Sequence, residues 1–310
     1  MIEDIFRKIL ENLSFFYKNK LVKEDKKIYI FIDKILKKIE LKNNSLKKTH
    51  INFNEKIIDL LKKRDLSKFL RNKFIQKIFF VHNRLFIFKE LQYLKKNSDW
   101  FFFKKLLIEN DVGDPIKYFL YPKSSGNRIN HVFHLSILKK NTNIKLKKIN
   151  NVFEFGGGYG CMASIFSKIN KKVFFKLFDT MPVNLLQYYY LKQNGLDVGF
   201  KKKNKFQLLN HQNFKFINKI KKKSLFIANW SLSETKLSFR KKFIKFLGKY
   251  DYSLIAFQEN FEDINNLKYF KNVSKKFINT HQFKIIKNQY YKGNFFKKQN
   301  HYFMIGRKLN

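Results

Sequence analysis

The chain has 310 residues, 44% of them hydrophobic and 18% aromatic, a composition that builds a buried core and excludes a disordered basic tail. Its formal charge of +43 would suit a nucleic-acid or membrane-surface partner, yet only seven of the 66 basic residues are Arg, the residue that makes bidentate phosphate and base contacts. The Lys is spread along the whole chain together with Asn, Ile and Phe, residues that AT-rich codons supply, so the charge reads as a compositional bias that keeps a Phe-rich protein soluble, and nucleic acid is not the favoured partner.

From Ile2 to about Asn110 the pattern is helical. In "IEDIFRKILENLSFF" the residues Ile2, Ile5, Phe6, Ile9, Leu10 and Leu13 recur at steps of three and four, and no Gly or Pro occurs before Gly113. Residues 1–110 are therefore expected to form a helical N-terminal domain. Residues 111–150 form a connection: "DVGDPIKYFLYPKSSGNRIN" has two of the three prolines, and "NHVFHLSILKK" returns to a helical period. From residue 151 to 310, strand and helix patterns alternate. "NVFEF", "KVFFKLFD", "SLFIANW" and "YSLIAFQEN" are strand candidates, separated by helix candidates such as "MPVNLLQYYYLKQNG", with Pro182 near its start and Gly195 past its end. "FKIIKNQYY" and "HYFMIGRK" would close the chain as an antiparallel hairpin. The expected class is α/β, with a mostly parallel Rossmann-like sheet.

Four of the eleven glycines, Gly156, Gly157, Gly158 and Gly160, lie in "VFEFGGGYGCMA", between a strand and a helix. A plain turn needs one glycine. Four imply a backbone that closely approaches a ligand, with the first amides of the helix turned towards it. Read from Gly158, "GYGCMA" fits the dinucleotide form G-x-G-x-x-A, with Asp179 twenty-one residues on. Read from Glu154, "EFGGGYG" is acid-x-Gly-x-Gly-x-Gly and resembles the first motif of S-adenosyl-L-methionine-dependent Rossmann-like methyltransferases. Glu154 favours the second: a carboxylate repels a pyrophosphate and attracts an ammonium group.

A longer stretch is similar to a narrower group. "FDTMPVNLLQYYYLKQNG" resembles the D-x-x-P...L-Q-x-Y-Y-L signature of bacterial sugar O-methyltransferases in Asp179, Pro182, Leu186, Gln187, Tyr189, Tyr190 and Leu191. "VGDPIKYFLYPKSSGNRINHVFHL" is similar to that family's G-x-P loop and entering helix, with Asp114 where the family has Asn, and "NWSLSET" to its segment after the fourth strand. The resemblance covers about Asp111 to Glu259. It implies transfer of a methyl group to a sugar hydroxyl, in surface polysaccharide or glycolipid synthesis. It also implies a sugar or glycan acceptor. "NWSL" lacks the prolines of enzymes that methylate exocyclic base amines; an RNA methyltransferase, a nicotinamide-dependent oxidoreductase and a binding module without chemistry stay open as alternatives.

The resemblance assigns Glu154, Gly156, Gly158, Gly160, Asp179 and Asn229 to the cofactor. Methyl transfer to a hydroxyl also needs a base, and Glu234, just after the fourth strand, is the leading candidate; its alternative role is a carboxylate complementing a helix dipole. His131 and His134, spaced i, i+3, could face the cofactor from one helix, and His281 and His301 carry weaker claims. Lys123 and Arg128 are candidates to meet a phosphate on the acceptor. No cluster with metal-ligand spacing occurs, so no metal is expected, and the one cysteine, Cys161, excludes an internal disulfide or a multi-thiolate zinc site. No apolar run reaches the about 20 residues that span a bilayer, and the acidic, amphipathic start does not match a signal peptide, which makes the cytoplasm the expected compartment.

Overall fold

The computed structural model describes residues 5, 9, 13, 17, 19–20, 22–43, 51–79, 84–212, 220, 222–291 and 299–309. The helix expected at the N-terminus lies mostly outside these; Ile5, Ile9 and Leu13 are helical. Five helices follow, α1 (Lys26–Asn43), α2 (Ile51–Lys62), α3 (Lys73–Phe79), α4 (Leu85–Lys95) and α5 (Trp100–Leu107). A short antiparallel pair, β1 (Lys117–Tyr118) and β2 (Tyr121–Ser125), leads into α6 (Gly126–Thr142), whose start is capped by the Ser125 hydroxyl accepting from the Arg128 amide.

The alternating half then forms β3 (Asn151–Phe155), α7 (Cys161–Ile169), β4 (Phe174–Phe178), α8 (Met181–Gln193), β5 (Val198–Gly199), β6 (Phe206–Leu209), β7 (Ser224–Asn229), α9 (Leu237–Leu247) and β8 (Tyr252–Gln258). After a small hairpin, β9 (Asn260–Phe261) with β10 (Ile264–Asn265), come α10 (Asn266–Lys276), β11 (His281–Lys287) and β12 (His301–Lys308). The main sheet has the order β11-β12-β8-β7-β3-β4-β6-β5. Strands β3 to β8 run parallel, and β12 enters antiparallel between β8 and β11. This inserted antiparallel strand is the hallmark expected of a methyltransferase sheet, and the fold is of that Rossmann-like class, with a helical N-terminal region. The sequence pattern had marked the long strands; β5 and β6 lie in a Lys/Asn-rich stretch with little strand pattern, and α10 carries too few apolar residues to stand out.

Strand alternation divides the core between the sheet's two faces. Val152, Leu225, Ile227, Leu254, Ala256, Phe303 and Ile305 pack with α6, α7, α8 and the N-terminal helices; Phe153, Phe155, Phe226, Ala228, Ile255, Phe257 and Met304 pack with α9 and α10. The second face is a phenylalanine layer in which Phe155 and Phe243 meet edge to face at 4.5 Å. Glu154 lies between Phe153 and Phe155, so alternation turns it to the first face, towards α6 and the N-terminal helices. All six residues of β7 are buried, as a parallel strand covered on both faces requires. Among the described residues no helix is long and apolar enough to cross a membrane.

Candidate functional site

A cleft of 1170 Å³ opens at the carboxyl ends of the parallel strands, where ligands bind in open α/β sheets. That is more than the about 300–1,000 Å³ of an ordinary small-molecule site, which leaves room for two ligands side by side. Phe53, Lys77, Phe79, Arg84 and Phe86 from the N-terminal helices and the segment after α3 roof it.

One half is built on the glycine turn. Gly156, Gly158 and Gly160 have φ of +67°, +53° and +99°, conformations that side-chain-bearing residues resist. A Cβ on Gly156 would stand 2.2 Å from Ser231 Cβ, so the turn also touches the end of β7. Gly160 starts α7, which directs that helix's amides towards the turn. Beneath the turn Glu154 is 1% exposed, and among the described residues its Oε2 has no hydrogen-bond partner. Burial first, and the neighbouring Asp179 second, push its carboxyl up to about 8. Asp179, at the end of β4, is pushed up to about 7 by burial, against hydrogen bonds from the Thr180 and Gly158 amides. Gln187 on α8 ties the two together: its Nε2 donates to the Gly158 carbonyl at 2.8 Å and lies 3.4 Å from Asp179 Oδ2, while its Oε1 accepts from Asn184 at 3.0 Å. Gln187 was visible in the sequence only as part of a resemblance, and its tie to the glycine turn spans 29 residues.

The other half is lined by His131, Asn229, Trp230, Glu234, Gln258, Tyr291 and His301. Asn229, at the end of β7, spends its amide on two imidazoles: Oδ1 lies 3.1 Å from His134 Nδ1, and Nδ2 lies 3.3 Å from His131 Nδ1. His134 is fully buried, outside the cleft lining, and its Nε2 has no hydrogen-bond partner among the described residues. Burial drives His131 down to about 3, helped by the charges of His134 and Arg128, and His134 down to about 4 against its bond with Asn229. Both are neutral at pH 7. Glu234 sits in a 3-10 turn, Ser231–Glu234, open to the cleft but surrounded by protein, which pushes its carboxyl up from the ordinary range against a hydrogen bond from Gln258 Nε2 at 3.1 Å. The buried Arg240 guanidinium holds that turn from below, donating to the carbonyls of Ser233 and Thr235 and, at 2.6 Å, to Asn266 Oδ1.

The structure thus brings Glu154, Gly156, Gly158, Asp179, Asn229, Glu234 and His131 to one cleft, with Gly160 starting the helix behind it. It does not bring Lys123 or Arg128 there. Lys123 is exposed on β2. Arg128 is 1% exposed, its Nε donating to the Leu106 carbonyl at 2.6 Å and Nη1 to Ser164 Oγ at 3.4 Å. The stretch "YPKSSGNR" is β2 and the first turn of α6, and the Arg128 side chain is held in the core by the Leu106 carbonyl. Among the described residues, the Lys and Arg side chains that line the cleft are instead Lys77 and Arg84. His281 lies far from this lining, its Nε2 2.8 Å from the Tyr250 carbonyl, and Cys161 is a buried thiol pushed up to about 12, chiefly by burial. Of the three tyrosines in "QYYYL", Tyr189 and Tyr190 are core residues. Among the described residues no group of three or more His, Cys, Asp or Glu is placed to hold a metal.

No protein-family model matches the chain, and no curated protein matches it. Its structure is similar to that of the N-methyltransferase NodS from Bradyrhizobium japonicum, solved with S-adenosyl-L-homocysteine, at 9% identity over 69% of this chain and 100% of that one, TM-score 0.40. It is similar also to the methyltransferase domain of a bacterial Hen1, at 10% identity over 57% and 96%, TM-score 0.40, and to the mitomycin 7-O-methyltransferase MmcR, at 10% identity over 72% and 66%, TM-score 0.35.

Proposed function

We propose that the protein is an S-adenosyl-L-methionine-dependent O-methyltransferase that acts on a sugar hydroxyl in the synthesis of surface polysaccharide or glycolipid. The observation that carries the cofactor is the buried Oε2 of Glu154, without a hydrogen-bond partner among the described residues, beneath a left-handed glycine turn, with Asp179 at the end of the next strand. Two carboxylates there repel a pyrophosphate and attract a cation, which suits the donor's ammonium group at Glu154 and a ribose hydroxyl at Asp179. Gly156, Gly158 and Gly160 let the backbone approach the donor, which when bound supplies a methyl group on a positively charged sulfur.

Glu234 then takes the proton of the acceptor hydroxyl. Its pKa is raised towards neutrality, the direction that suits a base at physiological pH, whereas imidazoles driven to about 3 and 4 make weak ones. Trp230, Tyr291 and Phe86 give the acceptor half the flat apolar surfaces on which a sugar ring packs, between hydrogen-bonding side chains. In this reading residues 1–110 are a roofing domain, and the catalytic domain is 151–310.

Two measurements test it. Thermal shift with S-adenosyl-L-methionine, S-adenosyl-L-homocysteine, NAD and NADP is expected to show stabilisation by the first two; stabilisation by NAD alone ends the proposal. Labelled donor is then offered with methyl α-glucoside, N-acetylglucosamine, glucose 1-phosphate and a short RNA. The net charge of +43 favours a second reading, an RNA methyltransferase, which requires labelling of the RNA and binding that weakens steeply with salt.

A further inference from the structure

One imidazole in the acceptor half has its hydrogen placed by valence. Trp230 Nε1 bonds His301 Nδ1 at 3.1 Å. An indole nitrogen can only donate, so His301 Nδ1 accepts, and the neutral ring carries its hydrogen on Nε2. The ring stays neutral at physiological pH because burial, above all, pushes it down to about 3. Tyr291 lies against it, ring centroids 3.7 Å apart. Strand register sets His301 opposite Gln258, on one face of the sheet, and Gln258 donates to Glu234. His301 and Glu234 therefore border the same part of the cleft.

The arrangement is held against backbone strain. Trp230 has φ 60° and ψ −40°, a combination that side-chain-bearing residues rarely adopt. Its amide donates to the Ala256 carbonyl at 2.7 Å and its carbonyl accepts from the Ser233 amide at 2.8 Å. Strain kept in place beside a cleft calls for a function of the side chain it aims.

We propose that His301 binds the acceptor, donating its Nε2 hydrogen to an oxygen next to the hydroxyl that is methylated, and that Trp230 is the positioning residue that locks this tautomer. The opposite tautomer would offer a lone pair to that hydroxyl and draw its proton away from Glu234. The locked ring leaves the hydroxyl one basic partner. This inference rests on the acceptor being the oxygen-rich molecule proposed above.

The test uses the full chain, labelled with nitrogen-15 and bound to S-adenosyl-L-homocysteine. Long-range proton–nitrogen spectra are expected to show His301 protonated at Nε2 from pH 6 to 8. Trp230→Phe keeps a ring but no donor, and is expected to give a mixture of tautomers. For whichever test sugar is methylated, that variant is expected to raise KM about tenfold with kcat within about threefold, as loss of uniform binding does, and to leave S-adenosyl-L-homocysteine affinity unchanged. His301→Gln, whose amide nitrogen can stand in for Nε2, is expected to keep most of the acceptor affinity that His301→Leu loses. Protonation at Nδ1 in the wild type, an unchanged tautomer in Trp230→Phe, or an unchanged KM in His301→Leu overturns the proposal. If no sugar is methylated, the sugar reading falls alone, and the spectra still decide the lock.

Discussion

The two halves of the cleft solve different physical problems with different materials. The half around the glycine turn holds two carboxylates close together, one with a buried oxygen that has no hydrogen-bond partner among the described residues, on a backbone bent through three left-handed glycines. The half around Trp230 holds neutral imidazoles, an indole and amides tied to one another by hydrogen bonds, with the Glu234 carboxyl held by Gln258. The first keeps its acids raised towards protonation until a cation arrives. The second directs hydrogen bonds through neutral rings and amides and keeps one acidic side chain, Glu234, at the cleft. A sulfonium donor and a hydroxyl acceptor would divide a cleft in this way.

Substitutions that affect one half and spare the other sharpen this contrast. The largest effect on donor binding is expected from Gly156→Ala, which puts a Cβ 2.2 Å from Ser231 Cβ at a φ of +67°; calorimetry should find at least about 100-fold weaker binding, partly restored by adding Ser231→Gly. Glu234→Gln should lower kcat by about 10²–10⁴ while donor affinity stays within about twofold, the reverse pattern. Equal losses of kcat and donor affinity in that variant would dissolve the division between the halves.

Glu154→Gln should weaken donor binding about tenfold and also flatten its pH dependence. In the wild type, affinity should rise between pH 6 and 8 as Glu154 and Asp179, raised to about 8 and about 7, lose their protons. A slope that survives Glu154→Gln unchanged would move the cation site elsewhere.

A carboxylate outside the cleft gives a smaller test. Glu90 on α4 is fully buried, held by Asn130 Nδ2 at 3.0 and 3.1 Å, and burial raises it from 4.5 to about 8. A raised pKa in the folded state contributes stability at low pH that is lost as pH climbs through the folded value. From about pH 5 to 8 each such group therefore costs up to ~1.4 kcal/mol per pH unit, and Glu90→Gln should make the decline in melting temperature shallower. The smallest effect is expected from Lys123→Ala, within about twofold in every kinetic constant, since an exposed side chain outside the cleft touches neither half.

Legibility differed between the halves for a physical reason. Glu154, the glycines and Asp179 fall within 26 residues of chain because a strand, a turn, a helix and a second strand form one local unit, so their spacing carries the geometry. The acceptor half draws on α6, the turn after β7, β8 and β12, whose residues meet only when the sheet closes. Nothing near His301 in sequence announces Trp230, 71 positions away, and the buried place of Arg128 depends on a carbonyl on α5, 22 positions away.

By itself, then, the sequence determined the α/β class, the long strands, the antiparallel ending and the glycine turn with its two acids, because periodicity and backbone permissiveness are local properties of the chain. Tertiary structure alone decided that Arg128 is a core residue, that Asn229 is committed to two imidazoles, and that Trp230, His301, Gln258 and Glu234 share one wall of the cleft. Those depend on strand order and register, which bring side chains from distant segments within hydrogen-bond reach.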